Sequence, residues 1–170
     1  KIMGAYDVSN QAISAIPVIP SDDINIPQPG IISSGTATTG SAGPPPDMTA
    51  AAGTFLDDGV QKGDVIYNTT TNAMAMITEV KSNTEMTISA NIFAAGNAFV
   101  IYKGNGYLNQ DGVNTGLLLF VGTAGNVRVT TIQGDDVTLL NIGNASWLPL
   151  AVYKVWATGT TAADIIAVTG

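Results

Sequence analysis

Carboxylates, hydroxyls and amides are the reactive groups on offer in this chain, because it contains neither histidine nor cysteine. A nucleophilic triad needs a base, ordinarily His, beside its Ser or Cys. Ser-His-Asp and Cys-His arrangements are therefore excluded, and so are zinc sites built on those ligands. Glycoside hydrolysis would need only two carboxyl groups held about 5 to 9.5 Å apart. Asp22, Asp23, Asp57, Asp58, Asp135 and Asp136 are the candidates. All sit among turn residues, where Asp is favoured because its side chain bonds the nearby backbone. They read as turn formers, and no catalytic residue is assigned. Asp57-Asp58-Gly59 with Asp64, and Asp22-Asp23 with Asn25, are partial oxygen sets for calcium. Neither has the spacing of a calcium loop, so no metal site is assigned. Gly104-Asn105-Gly106 lacks the third glycine and the strand-to-helix setting of a dinucleotide site, and no cofactor is expected.

The charge balance points the same way. Thirteen acidic and six basic residues give a net charge of −7. Lys1, Lys62, Lys81, Lys103, Arg128 and Lys154 form no cluster in sequence, and nucleic-acid affinity rests on clustered cations that neutralise phosphates. Neither a nucleic-acid partner nor an anionic membrane surface is expected. No apolar run approaches the ~18 residues needed to span a bilayer. Charged residues make up 11% of the chain, less than half the roughly 25% usual for soluble proteins. Much of the surface must then be neutral, either solubilised by Thr, Asn and Ser or covered by partners.

The few aromatic residues are candidate contact points. Trp147, read at a turn before Leu148-Pro149, suits an exposed anchor, while Trp156 reads as a core residue of a strand. Tyr107 falls in a linker and fits an interface or solvent equally. Exposed Trp and Tyr on loops would also suit carbohydrate stacking, which keeps a glycan-binding module open. Asn68-Thr69-Thr70 and Asn144-Ala145-Ser146 match the glycosylation pattern, which matters only in a secretory pathway.

The elements that would position these residues are strands. Residues 117–121 are a short apolar run between glycines. Residues 126–132 alternate, with Val127 and Val129 on one face and Arg128 and Thr130 on the other. Residues 136–142 begin in the same phase with Val137 and Leu139, then change phase at Leu140 and Ile142, as a bulge or sandwich-edge bend would require. Residues 150–156 and 163–168 follow. Each gap holds Gly, Asn, Asp or Thr, and short β runs at even spacing with such turns indicate a sandwich or barrel. Upstream, residues 11–19 form a strand whose Pro17 confines it to an edge or breaks it. Residues 33–52, rich in Ser, Gly, Thr, Ala and Pro, read as a linker or an extended strap. Residues 55–103 form a second small β unit. In it Met74, Met76, Thr78 and Val80 share a face, Met86 and Ile88 share another, and 92–96 reads as one helical turn. Met74, Met76 and Met86 read as that unit's core.

The order of motifs carries a resemblance. Leu119-Phe-Val-Gly-Thr-Ala-Gly-Asn-Val-Arg-Val-Thr130, Gly134-Asp-Asp-Val-Thr-Leu139 and the run from Leu148 to Ala162 resemble the spike-base or decoration proteins of tailed-phage heads and of phage-derived gene transfer agents. Ile16-Pro-Val-Ile-Pro-Ser-Asp-Asp23 resembles the opening of that family. These motifs cover about half the chain; the departure is a long insertion, roughly 33–114. Residues 59–70 also resemble small β-barrel modules of phage structural proteins. The resemblance implies a virion structural role on the capsid exterior, without enzyme activity. The major capsid protein would be the partner, and a homo-oligomer on the capsid surface is expected. The alternative is a glycan-binding module of a phage fibre or spike.

The fold expected is all-β: a jelly-roll-like antiparallel β-sandwich with a small inserted β-barrel. Residues 1–32 and 113–170 would form the discontinuous sandwich, 33–53 the linker or strap, 54–103 the barrel and 104–112 the return linker. The N-terminal strand must then pair with the C-terminal sheet across the insertion. The arm 1–10 and the strap are the expected contact segments.

Overall fold

The alternation in residues 126–132 becomes a strand in which Val127 and Val129 are fully buried. The same period-two logic builds the rest of the molecule. The structure is a computed structural model describing residues 14–104 and 116–169, and every regular element among them is a β-strand. In chain order these are β1 (Ser14–Pro17), β2 (Ile31–Thr36), β3 (Thr39–Ala42), β4 (Asp47–Thr49), β5 (Val65–Asn68), β6 (Ala73–Val80), β7 (Glu85–Ile88), β8 (Ala98–Tyr102), β9 (Leu117–Thr123), β10 (Gly125–Thr131), β11 (Asp136–Ile142), β12 (Ser146–Val155) and β13 (Ala163–Thr169). They form two antiparallel sheets packed as a sandwich, one of six strands in the order β1-β13-β9-β12-β10-β11 and one of seven in the order β2-β8-β5-β6-β7-β4-β3. The expected arm at 1–10 and nearly all of the return linker, Tyr107 included, lie outside the described residues.

The six-stranded sheet joins the two ends of the chain. Ser14 lies opposite Thr169 and Pro17 opposite Ile166. β1 is an edge strand, where the missing proline N–H costs no ladder bond. Residues 18–26 continue along the sandwich without regular strand structure, held by bonds such as Ile26 N–H to the Tyr153 carbonyl (2.9 Å). β9 and β10 are separated by Ala124 alone yet flank opposite edges of β12, so the glycine-rich stretch read as a turn is a corner in one bent strand. The corner needs its glycines, since a Cβ on Gly122 would sit 2.8 Å from the Asp164 Cβ. The phase change at Leu140 is a register shift between β10 and β11. There Asn141 takes φ 55° and its N–H donates to Asn126 Oδ1 (3.0 Å).

The seven-stranded sheet corrects the reading of 33–53. This stretch contributes most of β2 and all of β3 and β4 to the sheet, so it is neither a linker nor a strap across the outside. Only Ala37 and Thr38 separate β2 from β3, the two ends of the strand order, and the sheet thereby rolls around a core of its own. Short side chains hid this from a composition argument. A Cβ on Gly35 would come within 3.0 Å of Phe99 Cζ, so the strand carries a glycine here because the ring fills the space of a side chain.

The methionine face is corrected too. Ala75 and Ile77 point into the rolled sheet's core with Met86, while Met74 packs against the sandwich core and Met76 is partly exposed. The larger residues of β6 lie outside because the barrel's outer face is itself covered. Val65, Tyr67 and Tyr102 belong to the sandwich core, while Ile66 and Ile101 on the same strands belong to the other. Tyr67 and Tyr102 meet edge to face at 5.0 Å, and burial pushes both phenols above their ordinary range. Residues 92–96 form a turn and not a helical turn.

Candidate interaction surface

Strand β9 is apolar on both faces, and a strand in a sheet with one solvated face does not need that. Leu117, Leu119 and Val121 enter the sandwich core, which leaves Leu118 and Phe120 on the outside. Cross-strand register aligns Phe120 with Ile166 on β13 and with Trp147 on β12. The result is an apolar row across three strands, Ile166–Phe120–Trp147, with Leu118 beside it. Trp147 is 58% exposed and Leu118 45%. Phe120 meets the indole edge to face at 5.2 Å, which gives the exposed Trp a fixed ring partner on the neighbouring strand. Trp147 therefore stands within a strand, not at a turn as the sequence suggested, though it is exposed.

A groove of about 540 Å³ runs beside this row, lined by Leu139, Asn141, Ile142, Ser146, Trp147 and Leu150 among others. Its floor exists because β12 pairs with β10 only from Val152 onward, leaving the Trp147–Pro149 edge uncovered. A second, smaller cleft of about 320 Å³ lies where the turn at Ser21 and Asp23 meets Met74 and Met76.

The candidate carboxylates are dispersed into structural bonds. Asp22 accepts from the Thr158 hydroxyl (2.7 Å) and N–H (2.9 Å), and that hydroxyl is the main reason its pKa lies below the ordinary value. Asp58 accepts from Thr54 Oγ1 (2.7 Å), which lowers it likewise, with Ser33 adding to the effect. Asp57 accepts from Asn83 Nδ2 (3.0 Å), and Asp136 accepts from Thr130 Oγ1 (2.6 Å) with Arg128 at 3.5 Å. Asp64 is buried and carries Lys103 Nζ (3.0 Å) and the Gln61 N–H (2.8 Å). Asp23 and Asp135 are exposed at turns. A general acid requires a carboxyl held above its normal range. The carboxyl shifts resolved among the described residues, at Asp22, Asp47 and Asp58, all run downward. No group of three or more His, Cys, Asp or Glu residues is placed to hold a metal among them.

Trp156 has a different task from the one its sequence setting suggests. It lies just past β12, half-buried, outside both cores. Its ring receives the Arg128 guanidinium at 4.3 Å and the Lys154 ammonium at 3.8 Å, and its Nε1–H donates to Thr130 Oγ1 (2.8 Å). Lys154, itself buried, donates to the Asp22 carbonyl (2.6 Å). This cluster pins the 21–23 turn to the far end of the chain.

No family model, curated protein or solved structure matches this chain. The surface must be judged on its own chemistry. Leu118, Phe120 and Ile166 were missed as surface residues from sequence. The available signal was the unbroken apolar run 117–121, too apolar for a strand with a solvated side.

Proposed function

We propose that the chain is a structural protein of a phage-like particle, a head decoration (cement) protein or the base of a head spike. It would act without enzyme activity, seated on the exterior of the major capsid protein shell as a homo-oligomer. The observation that carries the reading is the uncharged row Ile166–Phe120–Trp147 with Leu118, exposed on a chain that is only 11% charged. Contiguous exposed apolar surface of this kind marks a site of association, and Trp is the residue most enriched at the energetic centre of interfaces. The motifs at 119–130, 134–139 and 148–162 support the same class. Stabilisation of the shell would follow from mass action, since a protein that binds only the assembled lattice makes disassembly costlier. With 33–52 built into the barrel, the contact surface moves from the expected strap to this sheet face.

Co-sedimentation of the full chain with undecorated heads tests the reading. Binding should occur and should weaken by about tenfold to a hundredfold in Trp147→Ala, the loss typical of an interface hot spot. No binding at all to undecorated heads would refute it.

A glycan-binding module is the second reading. It is favoured by the exposed indole of Trp147 beside a groove that also presents Asn141 and Ser146. Glycan-array binding lost in Trp147→Ala would select it, and a blank array would remove it.

A further inference from the structure

β11 ends the strand order of the six-stranded sheet, so among the described residues one of its edges has no partner strand. Proteins guard such edges with Lys, Pro, brevity or bulges, because an open row of N–H and C=O groups is a template for another chain. The other open edges of this sheet follow the rule. Among the described residues β1 carries Pro17, and the uncovered part of β12 carries Pro149. β11 has seven residues, no Lys and no Pro. Its one irregularity spans Leu140 and Asn141, leaving Asp136 to Leu139 in regular pairing with β10.

The direction of its free groups can be read from the ladder. Thr131 N–H donates to the Asp135 carbonyl, and the pairs Val129–Val137 and Val127–Leu139 continue that two-residue alternation. The backbones of Asp135, Val137 and Leu139 therefore face β10, and those of Asp136, Thr138 and Leu140 face outward. Leu140 is 64% exposed, more than any other large apolar side chain among the described residues.

We propose that this edge pairs antiparallel with the same edge of a second copy of the chain, about a two-fold axis at Thr138. The outward residues are symmetric about that position. Thr138 meets Thr138 of the second copy, Asp136 meets Leu140 and Leu140 meets Asp136, so every outward N–H and C=O finds a partner. On the opposite face Val137 meets Leu139, apolar on apolar. Charge selects the antiparallel mate of identical sequence. The two Asp136 carboxylates end up four residues apart, about 14 Å at strand spacing, which exceeds the ~8 Å screening length of physiological salt. A parallel mate would set them side by side. Each Asp136 is also already bonded to Thr130 and faces Arg128. The inference gives an interface to the homo-oligomer in the reading above, yet it stands on the strand edge and not on the shell partner.

Sedimentation velocity or light scattering of the full chain should find a dimer. Thr138→Pro removes an N–H that β10 does not use, so the fold keeps its ladder while the mate loses a central bond. That change, and separately Leu140→Lys, should weaken dimerisation by about tenfold or more, with the circular dichroism spectrum unchanged. The chain has no cysteine, so Thr138→Cys should yield a covalent dimer on oxidation, because a hydrogen-bonded antiparallel pair spaces Cα atoms by about 5.5 Å, within disulfide reach. Thr71→Cys on the barrel should not. Should Thr138→Pro fail to fold, Leu140→Lys and the cysteine pair decide. A monomeric wild type, an odd-numbered oligomer, or a dimer indifferent to both substitutions overturns the inference. A wild-type monomer that still decorates heads would sink this inference alone, and a β11-dependent dimer that ignores heads would sink the shell reading alone.

Discussion

Gly35→Ala is the substitution that distinguishes a free strap from a barrel strand. If residues 33–52 hung free, adding a methyl group would be neutral or slightly stabilising, because alanine loses less backbone entropy than glycine, worth about 0.5–1 kcal/mol. In the structure the new Cβ lies 3.0 Å from Phe99 Cζ and 3.3 Å from Cε1. Carbon atoms pack best at about 3.5–4.0 Å, so the ring must retreat by several tenths of an ångström. It has nowhere to go, since Phe99 is 2% exposed and is held by Phe55 (5.8 Å between ring centres) and Phe93 (6.4 Å). Overpacking of this kind costs roughly 1–3 kcal/mol. Set against the entropic gain, the net loss should be about 1–2 kcal/mol. Urea denaturation followed by circular dichroism reads it directly. Phe99→Leu, which opens space next to the new methyl, should recover at least about 1 kcal/mol of that loss in the double variant, as contacting residues couple. A Gly35→Ala protein that is as stable as the parent, or single changes that simply add, would refute the placement of β2.

Further outcomes follow from other details. Ala145 sits at φ 54° in the turn before β12, a conformation that costs a residue with a Cβ about 1–2 kcal/mol; Ala145→Gly should therefore raise the thermal midpoint, and a fall would show the strain is absent. Asp22, Asp47 and Asp58 are all held below their ordinary value of 3.8, Asp47 chiefly by Lys81 and then by Thr87. The folded state thus binds fewer protons, so the stability these groups contribute is complete above about pH 4 and disappears as the pH falls through the folded values. The midpoint should drop on acidification below pH 4, and Asp47→Asn should flatten that drop; a flat profile in the parent contradicts the assignment. Tyr67→Ala removes a ring shared by both units and should cost about 3 kcal/mol. Trp fluorescence, which reports the sandwich, should still coincide with circular dichroism in one transition, whereas two separated transitions would mean the barrel unfolds by itself.

The chain's own order of residues settled more of the sandwich than of the barrel. Alternation and turn residues place β10, β11 and β13 within a residue or two. In β10 a strand with one wet face writes its burial into a period of two, whereas β11 is exposed along nearly all its length and is marked by its flanking turns. Pro17 marks an edge because it lacks a donor wherever it is put. The absence of His and Cys removes whole classes of chemistry without reference to any fold. Tertiary structure alone decided the rest, wherever one residue's role depends on a distant neighbour. Gly35 is small because Phe99 occupies its space, and β6 turns Ala75 inward and Met74 outward because a second core covers the barrel's outer face. Trp147 could be read as exposed from its setting before Leu148-Pro149, but its contact with Phe120, and the draw of Trp156 to Arg128 and Lys154, depend on residues brought together only by the fold. Local pattern records which face of a strand is buried, but what buries it is determined by contacts between segments far apart in the chain.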